Sequence, residues 1–199
     1  MNLFLVFDTE TTNLPLWTQP SGDPGQPHIV ELAASLVNYD TREIVSSVHL
    51  LAKPDGWAIS QEVIDVHGIT NEHAELVGVS EEMILHIFLA LWLRASFRVA
   101  HEQSFDARII RIALKRFGYP EDFIETFKAA PSRCTCVEST AMCQIKKKDG
   151  KGIKKPKLSE AYKHVTGKEL EGAHRATVDT AACLEVFWAL EAFNAKKKE

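Results

Sequence analysis

Asp8 and Glu10 are the first residues in this sequence whose types and spacing could do chemistry. They stand two apart in Phe7-Asp8-Thr9-Glu10, directly after an apolar run. In an extended strand, residues two apart point to the same face. Two carboxylates side by side at the end of a buried strand repel each other and raise one another's pKa. A divalent cation removes that conflict. Magnesium and manganese favour oxygen ligands and are held by a few carboxylates together with substrate phosphate. Alone, the pair is equally well read as two surface acids near a strand end.

Asp106 follows in His101-Glu102-Gln103-Ser104-Phe105-Asp106. A strand is expected to deliver His101 and a helix to begin near Ser104. Asp106 then falls in a first helical turn, where the helix dipole favours any acid. The third element is Ala173-His174-Arg175-Ala176-Thr177-Val178-Asp179. Five residues on an ideal helix turn through about 500°, so His174 and Asp179 would not share a face. His174 is therefore expected on the loop after Gly172, swinging over a site that Asp179 helps to build from the helix. Together the residues give four carboxylates and a histidine. That set fits two-metal phosphodiester hydrolysis, with one cation activating water and the other stabilising the departing oxygen. Histidine suits the base because its pKa lies near neutrality.

The surrounding pattern must position these groups. Leu3 to Phe7 reads as a buried central strand. Asn13 to Pro27 holds four prolines and two glycines and reads as a long loop of the kind that serves a site. Ile29 to Tyr39 and Glu43 to Leu51 read as strands of an antiparallel hairpin turning at Asp40-Thr41-Arg42. Ser60 to His67 reads as a short helix closed by Gly68. Ser80-Glu81-Glu82 opens a helix expected to bury Ile84, Ile87, Phe88 and Leu91. Phe97 to Ala100 reads as a strand, Ser104 to Phe117 as a helix, and a further helix follows Pro120. A last helix runs from about Thr177 to Asn194. Strands first, then strands and helices mixed, imply an α/β domain with a mixed sheet flanked by helices.

Composition limits the alternatives. The chain has 199 residues, 45% apolar and 25% charged, which is ordinary globular usage and excludes disorder, collagen and coiled coil as its main character. One domain over 1–199 is expected. The net charge of −4 disfavours a protein that wraps long DNA by charge alone. The longest apolar run, Ile87 to Leu93, is far short of the ~20 residues of a spanning helix, so no membrane partner is expected. The N-terminus lacks a basic segment, and its apolar run is broken by Asp8 and Glu10, which argues against a signal peptide and for a cytoplasmic location with reduced cysteines. Residues 146–157 hold seven lysines and one acid, a charge of +6 against −10 for the rest. Such a segment can hold a polyanion locally, although a charge run by itself reads more simply as a solvated loop. Lys196 to Lys198 reads as a frayed, solvated helix end.

These residues resemble the DEDDh group of DnaQ-like 3′–5′ exonucleases, which includes the epsilon subunit of bacterial DNA polymerase III, ribonuclease T and the TREX enzymes. Phe7-Asp8-Thr9-Glu10-Thr11-Thr12 is similar to the first motif, His101 to Asp106 to the second, and His174 to Asp179 to the third. His28 to Ala33, Val66-His67-Gly68-Ile69-Thr70 and Lys157 to Tyr162 resemble the connecting segments. The resemblance implies a ribonuclease H-like fold with a five-stranded mixed sheet. It implies two Mg2+ ions, replaceable by Mn2+, at Asp8, Glu10, Asp106 and Asp179, with His174 as general base. Thr11, Leu14, His67 and Phe105 match positions that approach the terminal nucleotide. The expected substrate is single-stranded or frayed DNA, shortened to nucleoside 5′-monophosphates. RNA trimming of the ribonuclease T type is the alternative. An inactive nucleic-acid-binding module is a further reading, but such a relic should have lost some of the five residues. The second motif departs from the family in carrying Glu102 where asparagine is usual, so an extra carboxylate either tunes the cations or faces away. The chain's size leads to the expectation of a stand-alone enzyme, with no polymerase partner specified. Cys134, Cys136 and Cys143 fit no common zinc spacing and read as small core residues.

Overall fold

The apolar run at the start of the chain becomes the middle of a sheet. In the computed structural model, which describes residues 2–197, β1 (Leu3–Thr11) fully buries Phe4, Leu5, Val6 and Phe7. β2 (Ile29–Asn38) pairs with it antiparallel, and β3 (Ile44–Leu51) pairs antiparallel with β2. Arg42 closes the turn between them from the left-handed region, its N–H donating to the Asn38 carbonyl at 2.8 Å. Three helices follow: α1 (Gln61–His67), α2 (Asn71–Val77) and α3 (Glu81–Trp92). β4 (Phe97–Ala100) then lies parallel to β1. Next come α4 (Gln103–Arg116), α5 (Glu121–Ala129) and β5 (Ser132–Cys134), which is parallel to β4. The short α6 (Thr135–Glu138) and α7 (Thr140–Cys143) precede α8 (Leu158–Thr166) and the long α9 (Ala176–Lys196). The sheet order is β3-β2-β1-β4-β5, a five-stranded mixed sheet.

Alternation along β1 divides the core in two. Leu5 and Phe7 face α3 and α4, where Ile84, Phe88, Ile109 and Ile110 complete the larger cluster. Phe4 and Val6 face α9, against Val99, Cys183 and Phe187. The helix caps follow the sequence: Ser80 accepts from Met83 N–H at 3.2 Å, and Gly68 ends α1 with φ 74°.

The structure departs from expectation in places. α3 buries Ile84, Leu85, Phe88, Leu89 and Trp92, while Ile87 and Leu91 are only half-buried. Its buried stripe thus runs along 84, 85, 88, 89 and 92, and Ile87 and Leu91 flank the seam. β5 was hidden because Ser-Arg-Cys has no apolar alternation to announce it. The lysine segment is an ordered hairpin: Lys146 pairs with Ile153, and Lys154 N–H donates to Ile145 at 2.8 Å. The expected C-terminal basic end reaches Lys197, and Lys198 lies outside the described residues. Among the described residues, no helix is long and apolar enough to cross a membrane.

Candidate active site

The end of β1 carries Asp8 and Glu10 to one side of the sheet, as their spacing requires. Opposite Glu10 on β2 stands Glu31, and a bulge interrupts the ladder at Glu10/Thr11. Bulges are common where a strand end re-aims side chains. From the parallel neighbour β4, the chain turns through His101 and Glu102 into α4. Asp106 therefore lies in the first turn of α4, at the exit of the strand beside β1. Its Oδ1 accepts from Thr9 N–H at 3.0 Å and from the Thr9 hydroxyl at 2.9 Å. Thr9 faces away from its neighbours Asp8 and Glu10, so one strand supplies both the acids and the clamp for the third. Asp179 enters from α9. Its Oδ2 accepts from His174 N–H at 3.1 Å. His174 stands on the loop before α9 with φ 67°, just after Gly172 at φ 70°, and its side chain is exposed.

These groups meet in one cleft of 430 Å³, a size suited to a nucleotide-sized ligand. All nine residues singled out in the sequence line it: Asp8, Glu10, Asp106, His174 and Asp179, and also Thr11, Leu14, His67 and Phe105. Glu10, His174 and Asp179 each offer a ligand atom, and these atoms lie within 4.8 Å of one another. Asp179 Oδ1 is buried with no hydrogen-bond partner among the described residues. An orphaned buried carboxylate oxygen is costly unless something positive meets it. Burial, then the charges of Asp106, Glu10 and Asp179, holds Asp8 well above the ordinary carboxylate range. Burial, then Asp179 and Glu31, lifts Glu10 to about 8. Burial also raises Asp106 and Asp179, against the hydrogen bonds they accept. Four acids held this close are a donor set short of positive charge, and the chemistry of that set fits divalent cations.

Two residues that the sequence placed in motifs but gave no role of their own hold the site. Glu31 is fully buried, and its carboxylate accepts from Arg175 Nη2 at 2.8 Å, Arg175 Nε at 3.1 Å and Ala176 N–H at 2.7 Å; His49 Nε2 lies 2.6 Å away. Burial pushes Glu31 up, but these hydrogen bonds outweigh it and its pKa is lowered. The bonds pin the root of the His174 loop and the start of α9 to β2. The available signal was an acid inside the apolar run Ile29 to Ala34. The second residue is His101. Its Nε2 donates to the Pro156 carbonyl at 3.1 Å, so its neutral Nδ1 accepts from the Thr135 hydroxyl at 2.9 Å. Burial holds its pKa down at about 4. His101 thus docks the base of the lysine hairpin beside the second motif. Glu102 adopts φ 61° as the N-cap of α4, is exposed, and lines the cleft. Asparagine tolerates that left-handed backbone more readily than glutamate.

The exonuclease family profile (RNase_T) matches residues 5–187. The chain belongs to this exonuclease family. The DNA polymerase III PolC-type protein of Thermotoga maritima is 34% identical over 132 residues, 65% of this chain and 9% of that protein. The DNA polymerase III subunit epsilon of Treponema pallidum is 26% identical over 194 residues, 98% of this chain and 79% of the subunit. The zinc-ion-bound form of the Escherichia coli exonuclease I–single-stranded DNA complex superposes with a TM-score of 0.70 at 18% identity, covering 96% of this chain and 40% of that one. The chain therefore spans less than half the length of the PolC protein and of exonuclease I. The fold is ribonuclease H-like, and the family is that of the DnaQ-like 3′–5′ exonucleases.

Proposed function

We propose that residues 1–199 form one exonuclease domain that removes nucleoside 5′-monophosphates from the 3′ end of single-stranded or frayed DNA. The observation that carries this reading is the convergence of four carboxylates and an exposed histidine in one cleft. Asp8, Glu10, Asp106 and Asp179 would hold two Mg2+ ions, with Mn2+ as a substitute. When bound, the ions lower the pKa of a water and neutralise charge on the departing oxygen. His174 takes the proton of the attacking water, and its exposed loop position lets the imidazole pass that proton to solvent. Thr9 keeps Asp106 aimed at the cleft. His67 Nδ1 accepts from Ile69 N–H at 3.0 Å, so the proton of the neutral ring sits on Nε2, which is buried and without a partner among the described residues. That N–H is a donor for an oxygen of the terminal nucleotide. Leu14 and Phe105 offer apolar contact to an unstacked base without reading its identity.

The reading is tested with matched DNA and RNA oligomers labelled at the 5′ end. A ladder shortening from the 3′ end, dependent on Mg2+ and abolished by EDTA, is expected with DNA. Asp8→Asn should leave no ladder. A faster ladder on RNA would assign the domain to RNA trimming. Intact oligomers that the folded protein still retards on a gel would make it a binding module.

A further inference from the structure

Beyond the cleft, the proline-rich loop 13–27 is held far more firmly than its composition suggests. Gln26 is buried, and its amide bonds Leu16 N–H at 3.0 Å, the Leu16 carbonyl at 3.1 Å and the Pro20 carbonyl at 2.9 Å. Arg116 bonds the Gln26 and Pro27 carbonyls at 3.0 and 2.9 Å and pairs with the buried Glu81 at 2.7 Å. Arg108 of α4 donates to the carbonyls of Leu16 and Gln19, on either side of Trp17. This rigid frame presents Trp17 with 57% of its surface exposed and no ring contact among the described residues. The bonds to Leu16 and Gln19 fix the backbone on both sides of Trp17, so more than half of its large aromatic surface stays open to solvent.

The helix beneath the loop is basic. Phe105 lines the cleft, and Arg108, Arg111 and Lys115 continue along α4 at near-helical spacing. They form one wall of a 480 Å³ groove whose other walls are the loop at Pro20 to Gly22 and α5. The groove's two acids pair with lysines, Glu121 with Lys115 and Glu125 with Lys128, and the Glu125 charge offsets only part of the burial and repulsion felt by Arg111. Arg108 and Arg111 have no carboxylate partner among the described residues. Arg98 lies nearby, fully buried, and among the described residues its side chain meets only the Phe127 carbonyl, at 2.7 Å, and the Phe127 ring. Burial, with the charge of Arg108, lowers Arg111 below the ordinary arginine range. An anion would relieve that repulsion. Leu14 of the loop and Phe105 of α4 line the cleft, and one helical turn beyond Phe105 the Arg108 side chain ties α4 to the loop on either side of Trp17.

We propose that this face is a second nucleic-acid subsite, in which Trp17 stacks on a base and Arg108 and Arg111 meet the phosphates of a single DNA strand leaving the cleft. The proposal rests on the exonuclease reading for the strand's direction. Aromatic stacking plus a basic track is the general way single strands are held without sequence preference. The full chain is assayed on a long oligothymidylate and on the p-nitrophenyl ester of thymidine 5′-monophosphate, which reaches only the cleft. Trp17→Ala should raise KM on the oligomer about tenfold and leave kcat, and the ester, unchanged. Trp17→Phe should recover most of the loss. Arg111→Ala should flatten the log–log salt dependence of oligomer binding by about 0.7. Wild-type KM and salt slope in these variants, with the ester still cleaved, would overturn the subsite alone. Should wild type cleave neither substrate, the exonuclease reading falls. Anisotropy of labelled oligothymidylate without metal then decides the subsite: binding lost in Trp17→Ala supports it, and unchanged binding overturns it.

Discussion

His174 illustrates how little a residue's type says without its neighbours. It is exposed, in a left-handed conformation, and among the described residues its one hydrogen bond runs from its own N–H to Asp179. Its side chain is thus free to turn toward water while its backbone is not. His174→Ala should lower kcat by roughly two to four orders of magnitude yet leave cation binding, measured by calorimetry with Mn2+, close to wild type. Loss of Mn2+ binding together with kcat would make it a ligand rather than a base. The acids and this histidine were legible because each lies in a short local register: two residues apart on a strand, first turn of a helix, loop before a helix. Their supports were not. Thr9 meets Asp106 across 97 positions and Glu31 meets Arg175 across 144, and no local period records such a pairing.

Elements decide whether those residues converge. α9 brings Asp179 to the cleft, and its first turn is bolted to β2 by Glu31. Glu31→Gln leaves Arg175 without its anion, and because Arg175 is partly exposed the cost should be about 2 kcal/mol rather than the larger value of a fully buried pair. Thermal unfolding should register that loss. Activity should fall further than the variant's folded fraction explains, because the His174 loop loses its root. A variant as active as wild type at a temperature where it is fully folded would confine Glu31 to stability. The lysine hairpin is a second such element. Of its seven lysines only Lys154 forms an ion pair among the described residues, with Glu160. If the hairpin faces a bound strand, replacing Lys147, Lys148 and Lys151 by glutamine should cut the salt slope of binding by about 2, at ~0.7 per phosphate contact. An unchanged slope would leave the hairpin a solvated surface feature. The basic charge of this segment was visible in sequence, but its dock on His101 was not, because it depends on a carbonyl at Pro156 meeting a side chain 55 positions away.

Across the whole molecule the clustered acids set a stability that depends on pH. Asp8, Glu10, Asp106 and Asp179 all have raised pKa values in the fold, Glu10 to about 8. A raised carboxylate stabilises fully below its unfolded value and loses that contribution as pH climbs through the folded value. Glu31, lowered, acts oppositely, but its contribution is already complete above the ordinary range. The metal-free Tm should therefore fall between about pH 5 and about pH 9. Added Mg2+ should restore it, and by more at the alkaline end, where no protons need be displaced. A Mg2+ shift larger at about pH 5 would contradict the clustering of charge described here. The sheet order has one more consequence. Asp8 is on the first strand and Asp179 on the last helix, and β1 waits for β4 before its parallel side is paired. During synthesis the ribosome releases the first acids long before the last acid and the histidine exist. On the proposed assignment, a chain cut short ahead of α9 carries the opening motif but lacks Asp179 and His174, so an unfinished product of translation should be unable to cleave the nucleic acid around it.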